Sequence, residues 1–305
     1  MNHFLWRLLT LILFSFTGNK NLSAQHKNIV FQTDFGLKDG AVAAMKGVAI
    51  ATDSSLRLFD LTHEIPAYNI WEAAYRLEQT IPYWPAGTVF VSVVDPGVGT
   101  NRQSVVLKTK SGHFIVTPDN GTLTLVAETQ GIEAIRRIDE TINRRKGSEN
   151  SYTFHGRDVY AYTAARLASG LIRFEEVGPV LPAAVVKIPY QKAVIENEII
   201  KGSIPVLDIQ YGNIWTNIPA TMLKQMEINS GDELQVSIYE DSTLKYQGLL
   251  KLVATFGDVP DGKPLAYFNS LMNLSFAINI GNFSETHRIS SGNKWKVAIK
   301  LSAIK

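Results

Sequence analysis

Apolar positions along the first two thirds of the chain follow two spacings. Ile29 to Gln32, Leu56 to Phe59 and Thr88 to Val94 are short runs, mostly apolar and rich in branched or aromatic residues, as buried strands are. Between them, near Ala41 to Ile50 and over Ile70 to Ile81, apolar residues recur with the period of helices packed by one face. This alternation predicts an α/β layer fold with a mixed, mostly parallel sheet. Ser104 to Lys108 and His113 to Val116, joined through Lys110-Ser111-Gly112, predict a hairpin and hence an antiparallel part. Pro118-Asp119-Asn120-Gly121 predicts a turn opening a short helix, and Asp158 a cap for a helix through about Ala168, ended by Gly170. The polar stretch Thr141 to Asn150, with Arg144-Arg145-Lys146-Gly147, predicts an exposed loop.

After Gly178-Pro179 and Leu181-Pro182 the pattern changes to short strands with frequent turns, such as Val206 to Ile209, Gln235 to Tyr239, Lys251 to Ala254 and Trp295 to Leu301. The expected organisation is a catalytic α/β domain over 26–190 and a smaller all-β, barrel-like domain over 196–305. Residues 1–24 differ from both: Arg7, the apolar run Leu8 to Phe16 and the exit Leu22-Ser23-Ala24 predict a secretory signal peptide, the run being short for a membrane span. Its removal takes Arg7 and Lys20 and leaves a balanced charge on the mature chain.

That balance matters for partners. Nucleic acid and anionic membranes select clustered basic excess, which a chain of 305 residues with 30 Lys+Arg and 28 Asp+Glu does not offer. With no cysteine, disulfide frameworks, thiolate metal sites and thiol nucleophiles are excluded. A small-molecule substrate is the expectation.

Three strand-to-loop junctions end in an acid: Asp34 after Phe31-Gln32-Thr33, Asp60 before Leu61-Thr62-His63, and Asp95 before Pro96-Gly97. Ligands of open α/β sheets bind beyond the carboxyl ends of strands, so the repetition points to one crevice. Arg102 closes the glycine-bearing turn after Asp95 and is able to return toward it, and His155 stands before a helix in Phe154-His155-Gly156-Arg157-Asp158. Brought together, a carboxylate, a guanidinium and an imidazole suit the activation of water. The same acids suit a hard metal, but no ligand spacing supports one. Nucleophile-elbow and P-loop patterns are missing from the sequence.

Thr33-Asp34-Phe35-Gly36, Asp39, Asp60-Leu61-Thr62-His63, Asp95 to Arg102, Thr117 to Gly121 and Phe154 to Asp158 together resemble the S-adenosylmethionine hydroxide adenosyltransferase family, relatives of fluorinase and chlorinase. Asp208, Gly212-Asn213, Trp215-Thr216-Asn217, Phe256 to Pro260 and Asn269-Ser270 continue the resemblance in the second domain. It implies an N-terminal α/β domain, a C-terminal β-barrel and a homotrimer with active sites between subunits. The implied reaction is attack of water or hydroxide on C5′ of S-adenosylmethionine, giving adenosine and L-methionine without metal or cofactor. Asp95, Arg102 and His155 become the water-activating triad. Asp34 takes the ribose hydroxyls, with Tyr68 beside the ribose. Asp39 and Asp208 approach the methionine amino group. Asn213 and the backbone around Asn279 read adenine, Phe256 stacks on it, and Ser270 contacts methionine. Leu271 stands where halogenating relatives carry an arginine.

Asp95 replaces the tyrosine of the halogenases and Gly156 a fluorinase serine. A carboxylate at the nucleophile pocket repels halide and helps water, which favours hydrolysis. The competing expectations are a chlorinase-like halogenase, a metal-dependent hydrolase, and a non-catalytic adenosine or S-adenosylmethionine binding protein. The leader predicts a periplasmic or secreted location, whereas the cytosolic origin of S-adenosylmethionine points to the cytoplasm.

Overall fold

The computed structural model describes residues 27–302. The expected leader lies outside them. Seven strands form the first sheet: β1 (Asn28–Thr33), β2 (Arg57–Thr62), β3 (Val89–Val93), β4 (Ser104–Thr109), β5 (Phe114–Pro118), β6 (Ile132–Arg137) and β7 (Val180–Leu181). Their spatial order is β2-β1-β3-β5-β4-β6-β7. Strands β2, β1, β3 and β5 pair in parallel, whereas β4 runs against β5 and β6, and β7 against β6. The sheet is mixed, with most strands pointing one way.

Successive residues of a strand face opposite sides, and both sides of the central strands β1, β3, β4 and β5 are covered, whereas β2 at the edge has no buried residue, contrary to the buried strand its apolar run suggests. Ile29, Phe31, Val89 and Val91 pack against Met45 and Ala49 of helix α1 (Ala41–Thr52) and against Ala164, Ala165 and Ala168 of the Tyr162–Ser169 helix. Val30, Phe90, Val105 and Ile115 pack against Leu77 of helix α2 (Ile70–Thr80) and against Val126 of the Thr124–Thr129 helix. That double burial is why these strands are apolar at nearly every position. From β1 the chain crosses to β2 on one side through α1, and α2 then carries it back to β3 on the other. The sheet therefore switches direction between β1 and β3, at the ends that carry Asp34 and Asp95.

Nine further strands follow: β8 (Val194–Glu196), β9 (Ile199–Ser203), β10 (Val206–Asp208), β11 (Asn213–Pro219), β12 (Glu233–Glu240), β13 (Thr243–Lys251), β14 (Pro264–Phe268), β15 (Asn273–Ile278) and β16 (Trp295–Leu301). They build two antiparallel sheets, β10-β11-β15-β14 and β13-β12-β16-β9-β8, joined by a bridge between Leu252 and Ala266. Ile200, Ile214, Val236, Leu250, Phe276 and Ile299 fill the space between them. This is the barrel-like all-β region that the turn-rich sequence predicts. It is tied to the first sheet through α2: Trp71 Nε1 donates to the Pro205 carbonyl at 2.9 Å and Arg76 Nη2 to that of Leu207 at 3.1 Å.

The hairpin forms as β4 and β5, with Gly112 at φ +85° in its turn. Gly170, at φ +78°, ends the Tyr162–Ser169 helix. Three local expectations are corrected. The strand expected over Lys251 to Ala254 is instead the end of β13 followed by the Leu252 bridge. Asp158 does not cap a helix: it lies inside a π-helical turn, Gly156–Ala161, fully buried and gripped by Arg157 through two bonds of 2.8 Å. A buried carboxylate needs such a partner more than a helix end needs a cap. Thr141 to Asn150 is not an exposed loop throughout, because Asn143, Arg144 and Ser148 are buried against the Gly156–Ser169 segment and its surroundings.

Candidate active site

The carboxyl ends of β1 and β3 and the start of the π-helical turn meet around a cavity of about 250 Å³, walled by Asp34, Phe35, Tyr68, Asp95, Phe154 and His155 among others. Asp95 is clamped by Arg102: Nε donates to Oδ1 at 2.8 Å and Nη2 to Oδ2 in a short second bond. The pair is not the weak surface ion pair its turn would ordinarily give, for only 5% of the Asp95 side chain and 11% of the Arg102 side chain is exposed. Arg102 continues through Nη1 to Ser104 Oγ (3.0 Å), and that hydroxyl lies 3.1 Å from Tyr160 Oη. Burial disfavours the guanidinium charge, but bonding to Asp95 and the neighbouring anionic groups outweigh it and hold Arg102 protonated above its ordinary range.

His155 is buried, and burial pulls its basicity below that of a free imidazole. Glu140 and Asp95 pull it upward, while Arg102 and Arg144 reinforce the fall. The ring is therefore neutral at neutral pH. Its nearest polar partner is Arg144, whose Nη2 lies 3.3 Å from Nε2. Nδ1 is buried without a partner.

The loop bearing Asp34 is held at both ends by His63. Thr33 Oγ1 lies 2.8 Å from His63 Nδ1, His63 Nε2 lies 2.9 Å from Asp60 Oδ1, and Gly36 N donates to the His63 carbonyl at 2.8 Å. Tyr68, at φ +67°, donates its backbone N–H to Asp34 Oδ2 at 2.9 Å. A non-glycine residue keeps that conformation only where its surroundings impose it. His63→Ala removes both ring bonds from a buried site. It is expected to lower stability by about 1–3 kcal/mol in urea unfolding and to weaken adenosine binding in calorimetry.

Asp208, Asn213, Phe256, Ser270 and Asn279 line a second cavity, of about 730 Å³, on the β10-β11-β15-β14 sheet. Asn213 Nδ2 donates to Asp208 Oδ2 at 3.2 Å, and Asn279 Nδ2 to the Val259 carbonyl at 2.9 Å. The Phe256 ring meets Tyr267 at 4.9 Å between centroids, forming an aromatic wall. Leu271 packs with Trp71, Tyr75, Leu125 and Val206. The two cavities share no lining residue. Asp39 lines neither; it is exposed and accepts a bond from Ala41 N at the start of α1. Among the described residues no group of three or more His, Cys, Asp or Glu is placed to hold a metal ion, and no helix is long and apolar enough to cross a membrane.

Family models of the SAM hydroxide adenosyltransferase N-terminal and C-terminal domains match residues 29–178 and 202–296. The chain belongs to the SAM hydroxide adenosyltransferase family. A relative from Salinispora tropica, the (R)-S-adenosyl-L-methionine hydrolase, is 33% identical over 88% of this chain and 97% of its own. A fluorinase from Actinoplanes sp. is 28% identical, with 87% of this chain and 95% of the fluorinase covered. The crystal structure of an uncharacterised conserved protein from Thermotoga maritima superposes with a TM-score of 0.81 at 34% identity, covering 89% of this chain and 99% of that one.

For this member of the family, sequence reasoning missed Glu140 and Arg144. Arg144 sits among three consecutive basic residues and looks solvated. The signal that could have found it is the i,i+4 spacing from Glu140 at a helix start, which the structure turns into an ion pair beside His155.

Proposed function

We propose that the protein hydrolyses S-adenosyl-L-methionine to adenosine and L-methionine, with water attacking C5′ and the sulfonium leaving as a neutral thioether. The observation that carries this reading is the Asp95 carboxylate, clamped by Arg102 at the wall of a small cavity that His155 also walls. A sulfonium leaves without acid help, so the protein has only to orient a water, accept its proton and keep bulk solvent out. A buried carboxylate repels chloride or fluoride but accepts hydrogen bonds from water, which supports hydroxide over halide transfer despite the fluorinase relatives.

Neither cavity suffices alone. One of about 250 Å³ falls below the roughly 300–1,000 Å³ of pockets that enclose such ligands. The larger one has the aromatic wall of Phe256 and Tyr267 but lacks Asp95 and His155. Exposed apolar residues rim both: Tyr68 and Tyr152 near the first, Tyr211 and Ile280 at the second. These features support assembly in which the first cavity of one copy faces the second cavity of another, as in a homotrimer. Asp34 then holds the ribose hydroxyls beside Tyr68, Asn213 and the backbone at Asn279 hold adenine against Phe256, and Ser270, Asp208 and Asp39 attend the methionine end.

The test is incubation of residues 25–305 with S-adenosylmethionine, with and without chloride and EDTA. Adenosine and methionine, unaffected by either addition, are the expected products. A 5′-chloro product assigns halogenation instead, loss of turnover to EDTA assigns a metal hydrolase, and adenosine binding without turnover assigns a sensor.

A further inference from the structure

The hydrogen-bond geometry around His155 decides which group of the triad can take a proton. A guanidinium has only donors. Nη2 of Arg144 carries two hydrogens, and the structure directs one to Glu140 Oε2 at 2.5 Å and the other to His155 Nε2 at 3.3 Å. Nε2 is thereby the acceptor. The competing arrangement, Nε2–H donating to Glu140, fails on distance, because Oε1 lies 3.7 Å away. Arg144 is itself fixed: 6% of its side chain is exposed, its guanidinium lies 4.6 Å from the centre of the Tyr152 ring, and Nη1 reaches the Ser151 carbonyl at 3.4 Å. In a neutral imidazole whose Nε2 accepts, the proton sits on Nδ1, the ring nitrogen with no protein partner.

We infer that Arg144, braced by Glu140, is a positioning residue that locks His155 in the Nδ1–H form with its one lone pair engaged, so that Asp95 and not His155 takes the proton. The inference rests on the hydrolase reading for its chemistry. In the resting protein the imidazole has no free lone pair for a water proton. Asp95 has lone pairs left on both oxygens after the two Arg102 bonds. As the bond from water oxygen to C5′ forms and the C5′–S bond breaks, sulfur keeps the electron pair and one water proton passes to the Asp95 carboxylate.

The test reads the tautomer directly, by 15N NMR of the full chain labelled in histidine, with His155→Asn to assign the resonance. A pyrrole-like Nδ1 and a pyridine-like Nε2 are expected in the wild type, moving toward the opposite form in Arg144→Met. A wild-type Nε2–H imidazole, or a tautomer that Arg144→Met leaves unmoved, overturns the inference whether or not the variant is fully stable. In turnover, Arg144→Gln keeps a donor and is expected within about threefold of wild-type kcat, whereas Arg144→Met loses about tenfold in kcat with KM within about twofold. Equal losses in the two variants count against the inference. A wild type without turnover removes the hydrolase reading and the proton-accepting role of Asp95 with it. Turnover by a wild type with Nε2–H imidazole removes this inference alone.

Discussion

The Asp95→Asn protein is expected to fold and to bind adenosine within about tenfold of wild type while turning over S-adenosylmethionine about a thousandfold more slowly. The substitution keeps the shape and one acceptor for Arg102 but deletes the proton acceptor and the local negative charge. Binding survives because Asp34 follows the neighbouring strand β1, and Asn213 and Phe256 lie in the second cavity. Asparagine is the informative replacement. Asp95→Ala strands a guanidinium whose side chain is only 11% exposed, and a buried charge that loses its partner costs about 3–5 kcal/mol. That loss would confuse chemistry with unfolding. Single-turnover rates alongside adenosine titration by calorimetry separate the two effects, and wild-type turnover by Asp95→Asn would remove Asp95 from the reaction.

The second large effect is a recovery. Ser270→Trp places a bulky ring at an exposed position of the larger cavity and should block it without disturbing the core. Asp95→Asn disables the smaller one. Each variant alone is expected to be nearly inactive. If a site is shared between two copies, random mixing gives it an intact first half with probability one half and an intact second half likewise, so about one quarter of wild-type activity returns. If both halves of a site come from one chain, nothing returns. Unfolding and refolding the two variants together, then assaying the mixture against each variant refolded alone, distinguishes these outcomes. Light scattering of the wild type supplies the stoichiometry.

The parts of this architecture that show in the amino-acid order are those in which burial leaves a periodic trace. β1 and β3 are covered on both faces and are apolar nearly throughout, so Asp34 and Asp95 stand out as the first charges after them. The helices between them carry their own period. β6 left a weaker trace: Ile132-Glu133-Ala134-Ile135-Arg136-Arg137 places charges at half its positions because it is only partly covered. The candidate residues of the all-β region came from resemblance and not from pattern, since Asn213 and Ser270 follow no period. What stayed hidden depends on tertiary contact. The buried Arg144 and the solvated Lys146 are indistinguishable as letters, and only the ring of Tyr152 and the carboxylate of Glu140 tell them apart.

The π-helical turn at Gly156–Ala161 shapes what this segment tolerates. A turn of that kind holds one residue more than an α-helix needs over the same span. The turn absorbs that residue locally, so removing one there would leave an ordinary α-turn over the same span, whereas a removal within the regular Tyr162–Ser169 helix would swing everything before the gap by about 100° around the axis. His155 lies just before the π-helical turn, and Tyr160, which backs Ser104 and Arg102, lies within. The segment next to His155 can therefore lose a residue where the regular helix after it cannot, and the imidazole would still face the cavity.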